Sequence, residues 1–174
     1  GSVAGRAGTG SGLLHLLLAL LRTGDTVIIP SPFYPIHEAC AFLAGASSVS
    51  FSMMGLIRDG ITRLTKDSHE FFAQLDRTYL ETFPRPRAML FSFPHNPTTL
   101  TVDISFFERL VDYAREKELF LIHDFSYATL GDDQYSPPSI LSVPGAAEYA
   151  VEQLSLSKGY GVAGWRIGFC VGNE

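Results

Sequence analysis

Short runs of consecutive apolar residues alternate along the chain with longer stretches in which apolar positions recur every three or four residues. The short runs fall at residues 26–30, 48–52, 88–93, 119–123, 150–155 and 166–171, and several are apolar on successive positions. A strand without polar alternation is covered on both faces, as strands of parallel sheets are. The longer stretches, 12–22, 35–45, 69–82 and 105–117, carry the helical period. In the last of them Phe106, Phe107, Leu110, Val111 and Ala114 form one stripe, and Ser105 with Glu108 has capping-box spacing. Strand and helix in alternation predict an α/β fold of three layers, with helices on both faces of a mainly parallel sheet. No internal repeat and no long linker breaks the pattern.

Composition narrows the function classes. At 174 residues and 46 % apolar content the chain can bury one core, and its net charge of -5 gives it no general attraction for nucleic acid or anionic membrane. The apolar run 13–21 is broken by His15 and is far shorter than the roughly 20 residues of a membrane span. Two cysteines, Cys40 and Cys170, are too few for a disulfide framework, so a cytoplasmic, reducing setting is expected. The chain opens on Gly1-Ser2 without an initiator Met, which reads as a fragment of something longer.

Ligands of parallel sheets bind beyond the carboxyl ends of the strands, so the residues after each run are the candidates. Gly8-Thr9-Gly10-Ser11-Gly12 leads into the first helix, where free N–H groups and a close-approaching backbone can cradle a phosphate. A plain flexible loop is the equal alternative, and no Gly-Lys-Ser/Thr closes it as in a nucleotide P-loop. Tyr34, between prolines after the first strand, can stack on a flat ring or simply pack. Asn96 in Pro94-His95-Asn96-Pro97-Thr98-Thr99 can donate to a ligand oxygen or simply form a turn. Asp124 closes a buried strand and needs a partner, either a cationic ligand ring or a structural Arg. Ser155-Leu156-Ser157-Lys158 sets a lysine at the end of another strand, where desolvation would favour the neutral amine that attacks carbonyls. Arg166, between Gly164 and Gly168, offers a planar fork for phosphate.

Together these segments resemble the fold-type I, class I/II aminotransferases that use pyridoxal 5'-phosphate. The Ser-x-x-Lys, the Arg at 166 within Gly-Trp-Arg-Ile-Gly, Asp124-x-x-Tyr127 and the His-Asn-Pro-Thr segment match that family's motifs in order, from the glycine loop to Gly172. The run looks closest to the alanine and LL-diaminopimelate aminotransferase group. The resemblance implies that Lys158 holds the cofactor as a Schiff base and shuttles the proton at the substrate's Cα. It implies that Asp124 pairs with the pyridine nitrogen, Asn96 and Tyr127 bond the ring's phenolic oxygen, and Tyr34 stacks on the ring. Thr9, Gly10, Ser155 and Arg166 would hold the phosphate, and Ser157 is assigned no role. One departure is the glycine run, where many members carry Gly-Ser-Lys-Glu-Gly, which puts the side-chain contribution of Thr9 in doubt. The resemblance further implies amino-acid and 2-oxo-acid substrates and a homodimer. Residues 1–174 would be the large cofactor-binding domain, with the N-terminal arm and C-terminal small domain outside it.

Other readings are weaker. Ser155-x-x-Lys158 also spells the nucleophile of serine β-lactamases, but only 16 residues follow Lys158 and the further motifs of those enzymes are missing. His37 and Cys40 lack further ligands at metal-binding spacing, so no metal is expected. A lyase of the same fold, or a cofactor-binding sensor domain without turnover, shares the cofactor residues.

Overall fold

The computed structural model describes residues 2–6 and 8–172, apart from the side chains of Arg6 and Thr9. Among the described residues a seven-stranded sheet runs β1 (Ser2–Arg6), β9 (Gly168–Gly172), β8 (Ala150–Ser155), β7 (Phe120–Asp124), β5 (Ala88–Phe91), β2 (Thr26–Ile28), β3 (Ser47–Val49). From β8 to β3 all neighbours are parallel, whereas β9 is antiparallel to both β8 and β1. The mainly parallel three-layer fold is therefore present, with an antiparallel edge.

The two apolar faces of the central strands explain the layering. Val27, Leu90, Ile122 and Val151 point to one side and pack with Leu13 and Leu17 of α1 (Thr9–Leu20) and Ala41 of α2 (Pro35–Leu43). Their chain neighbours Ile28, Met89 and Leu121 point to the other side, against Phe71 and Leu75 of α4 (His69–Glu81) and Phe106 and Leu110 of α5 (Ile104–Lys117). Each of the larger of these side chains, withdrawn from water, contributes about 1.5–3 kcal/mol.

The expected runs all correspond to elements, at the expected bounds for 150–155 and with shifted ends for the others. The helix expected at 12–22 begins at Thr9, so the glycine run forms its first turn rather than a loop ahead of it. Gly8 caps that helix at φ 82, a left-handed conformation that favours glycine. The strand expected at 166–171 starts only at Gly168, because Arg166 turns left-handed (φ 52) at the end of a short 3₁₀ turn, Ala163–Trp165. The elements without a forerunner in the pattern are β1, α3 (Met54–Arg58), the pair β4 (Arg63–Leu64) and β6 (Thr101–Val102), and α6 (Leu156–Gly159). Most are too short to display a period, and the small and polar residues of β1 form no apolar run. No helix among the described residues is long and apolar enough to cross a membrane.

The start of α5 is a correction. The capping box expected at Ser105 and Glu108 does not form; Asp103 is the N-cap, and its Oδ1 accepts the Phe106 N–H at 3.0 Å. Ser105 sits inside the first turn, donates its hydroxyl to the same Oδ1 at 2.7 Å and accepts the Lys66 N–H at 3.1 Å. A carboxylate satisfies the free N–H and complements the positive end of the helix, so it outcompetes the hydroxyl two residues on. Asp103→Ala should therefore lower stability by about 1 kcal/mol in urea unfolding, and by more than Ser105→Ala does.

Candidate active site

A cavity of about 300 Å³ opens at the carboxyl ends of β5, β7 and β8, where the first turns of α1 and α2 meet them. Gly10 and Tyr34 line it from the helix side. Asn96, Asp124 and Tyr127 line it from the turns after β5 and β7. Ser155, Lys158 and Arg166 complete the wall beyond β8. Thus every candidate named from the sequence faces one space except Thr9, whose side chain lies outside the described residues. Parallel β5, β7 and β8 are adjacent and end at the same edge, which brings positions 96, 124 and 155 together across the chain.

Asp124 is the most constrained of these groups. Its Oδ2 accepts Nε2–H of the buried His37 at 2.8 Å, and its Oδ1 accepts the Ser126 hydroxyl at 2.5 Å and the Ser126 N–H at 3.2 Å. Burial works to raise the carboxyl's pKa, but the His37 bond and charge, with help from Ser126 and His123, outweigh it and hold it below the ordinary value. The partner expected of a structural Asp124 was an Arg; the structure supplies a histidine and a serine instead. With three of about four accepting positions filled, Oδ2 keeps one for a further donor.

Lys158 corrects a second expectation. Its side chain is exposed, so burial is not what would set its reactivity. The strand β8 is buried at its start, but α6 lifts Lys158 to the cavity rim, where no hydrogen bond or ion pair among the described residues engages the amine. Ser155 caps α6 by accepting the Ser157 N–H at 3.2 Å, and this fixes the turn that aims Lys158.

Opposite stands a basic cradle. A Cβ placed on Gly8 would lie 2.7 Å from Nη2 of Arg166, so the guanidinium lies directly over the N-terminus of α1 and would have to shift for any larger residue there. An Arg fork next to the unpaired first N–H groups of a helix is a strong anion site. In sum the cavity has an unengaged amine, a fixed carboxylate, an aromatic side chain and an anion cradle. That donor set fits a flat cationic heteroaromatic aldehyde bearing a phosphate.

The family model "Aminotransferase class I and II" matches residues 2–174. The chain belongs to the class I and II aminotransferases. It is 43 % identical over 167 residues to the glutamate-pyruvate aminotransferase AlaC of Escherichia coli, covering 96 % of this chain and 38 % of that protein. It is 36 % identical over 166 residues to the LL-diaminopimelate aminotransferase of Syntrophobacter fumaroxidans, covering 95 % of this chain and 40 % of that protein. An aromatic aminotransferase from Pyrococcus horikoshii superposes with a TM-score of 0.84 at 25 % identity, over 98 % of this chain and 42 % of that one. The chain thus spans about two fifths of the length of these relatives.

Two contributors to this candidate site went unread in the sequence. The sequence assigns His37 a structural or surface role rather than a metal, yet it lies three residues after Tyr34, so the first turn of α2 brings both to one side, with their rings 5.8 Å apart edge to face. Ser126 follows Asp124 by two, the spacing of an Asx turn, and that signal was available. Among the described residues no group of three His, Cys, Asp or Glu could hold a metal.

The turn that presents Asn96 is pinned by its neighbour. His95 is buried and its Nδ1 is 2.7 Å from the Thr98 hydroxyl, while its backbone pairs with Leu100 and Thr99. Burial, with a smaller push from the charge of His37, brings its pKa down to about 4 from an ordinary 6.5. The unfolded chain therefore takes up this proton first as pH falls. The His95 contribution to stability should drop between pH 6.5 and 4, by on the order of 3 kcal/mol, and level off below. The contribution of Asp124 is lost only at lower pH, below the ordinary 3.8. Urea unfolding at stepped pH checks this, with His95→Gln expected to flatten the curve between pH 6.5 and 4.

Proposed function

We propose that this chain forms the cofactor-binding large domain of a pyridoxal-phosphate-dependent aminotransferase, which moves an amino group between an amino acid and a 2-oxo acid. The observation that carries this reading is the meeting of Asp124, Lys158 and Arg166 around a single cavity. Pyridoxal phosphate, when bound, supplies an aldehyde that condenses with a primary amine and a ring that takes up the electron pair released at an amino acid's Cα.

The residues then divide the work by chemistry. Arg166 and the first turn of α1 at Gly10 would bind the phosphate, with the Ser155 hydroxyl beside them and Thr9 proposed as a further contact. Asp124 would hold a proton on the ring nitrogen, and His37 and Ser126 keep that carboxylate ionised and aimed. Asn96 and Tyr127 would hydrogen-bond the phenolic oxygen, and Tyr34 would cover the ring face. The Lys158 amine would attach the cofactor and afterwards carry the proton to and from the substrate's Cα. Gripping the substrate's α-carboxylate falls to an N-terminal arm and a small domain outside these 174 residues. The same reading takes the protein to be a cytoplasmic homodimer.

In the complete protein Lys158→Ala should abolish the borohydride-reducible attachment of pyridoxal phosphate; an adduct that persists would move the attachment elsewhere. Asp124→Ala should weaken cofactor binding at least about tenfold, the size of a lost bond to a charged group. Amino donors and 2-oxo-acid acceptors are then screened with mass spectrometry of the products. Pyruvate with ammonia, and with a thiol when the donor carries sulfur, in place of a paired amino acid and oxo acid would make the protein a lyase.

A further inference from the structure

Directly behind Asp124, on the opposite face of the sheet, lies a second polar pair that the proposed chemistry does not use. His123 and Glu152 are register partners in β7 and β8, and both are buried. The imidazole is sandwiched by Phe91 (5.2 Å, 19°) and Phe125 (4.7 Å, 27°), with Phe107 edge-on at 5.1 Å. Polar groups in such aromatic surroundings need every bond satisfied, and these are. Glu152 Oε1 accepts from Nδ1–H of His123 at 3.0 Å and from the Ile140 N–H at 2.7 Å, while Oε2 accepts the Ser139 hydroxyl at 2.6 Å. The other imidazole nitrogen, Nε2, lies 3.0 Å from the Phe93 carbonyl and 3.2 Å from the Phe93 N–H. A neutral ring accepts from that N–H and a protonated ring donates to that carbonyl, so Phe93 is held in either state.

The attachments are specific to the cavity. Phe93 starts the turn that carries Asn96; His123 immediately precedes Asp124; Glu152 lies in the strand that ends at Ser155 and leads to Lys158. Ser139 and Ile140 belong to the segment that returns from Tyr127 to β8. An apolar pair could fill the same space with equal or greater stability, but it would tie none of these segments to another. We propose that His123 and Glu152 are positioning residues for the aminotransferase site. From the far face of the sheet, they cross-link the turns bearing Asn96 and Asp124 to the strand that presents Lys158.

The inference rests on the proposed function for what those turns do, but not for how they are held. The test compares wild-type complete protein with Glu152→Gln, an isosteric change that sets an amide N–H₂ against existing donors. Amide hydrogen exchange is measured without cofactor, and affinity by titration with pyridoxal phosphate. Exchange across residues 92–96 should rise about tenfold and affinity should fall about tenfold, the scale of one lost bond to a charged group. A lower melting temperature with faster exchange only around residues 139–152, and unchanged affinity, would reduce the pair to a structural role and overturn the proposal. Should Glu152→Gln fail to fold, Ser139→Ala removes one of the donors to the same carboxylate. It should give a smaller change of the same pattern, and unaltered exchange at 92–96 would overturn the proposal equally. A wild-type protein that takes up no pyridoxal phosphate counts against the functional reading, while the exchange comparison still decides this one.

Discussion

A carboxylate drawn largely out of water at the end of a central strand sets the terms for the whole site. Ionised Asp124 in that position is tolerable only because His37 and the Ser126 hydroxyl and N–H compensate its lost hydration. Those donors come from different places in the chain, α2 and the turn after β7, so satisfying one charge fixes two pieces of backbone relative to each other. Once they are fixed, Tyr34 and Tyr127 have their places along the cavity wall as well. Electrostatic need thus does the assembling that a flexible set of loops would otherwise leave undone.

The sheet turns that local constraint into a site. Parallel strands deliver their carboxyl ends to one edge, and the polar residues there can project into a common space without burying unpaired groups in the core. Consecutive residues of one strand serve opposite faces: Asp124 turns toward the cavity and the helices α1 and α2, while His123 turns into the phenylalanine cluster before α5. The anion cradle follows the same logic at the other end of the cavity. Gly8 takes a conformation that favours glycine, and the Arg166 guanidinium lies against it.

Membership of the class I and II aminotransferases rests on the whole length of the chain, whereas the assignment of individual roles rests on geometry. The contrast matters for Lys158. Its motif is unmistakable in the sequence, yet the burial first invoked to explain its reactivity is not found. Its position on a short helix at the rim instead leaves the amine unengaged and facing the cavity. Asp124 shows the reverse case. Its need for a partner follows from burial alone, but the identity of that partner does not.

What the residues by themselves determined is the α/β layering and the set of candidates. Apolar runs and helical periods are local signals of a few residues, and strand ends are where parallel sheets keep their ligands. Tertiary structure decided everything that depends on pairing across the chain. It recruited β1 through its bonds to β9, moved the cap of α5 from Ser105 to Asp103, and turned His37 from a bystander into the partner of Asp124. Short elements and buried polar contacts carry no period of their own. Only packing brings their two halves within hydrogen-bonding distance, and no single stretch of sequence contains both.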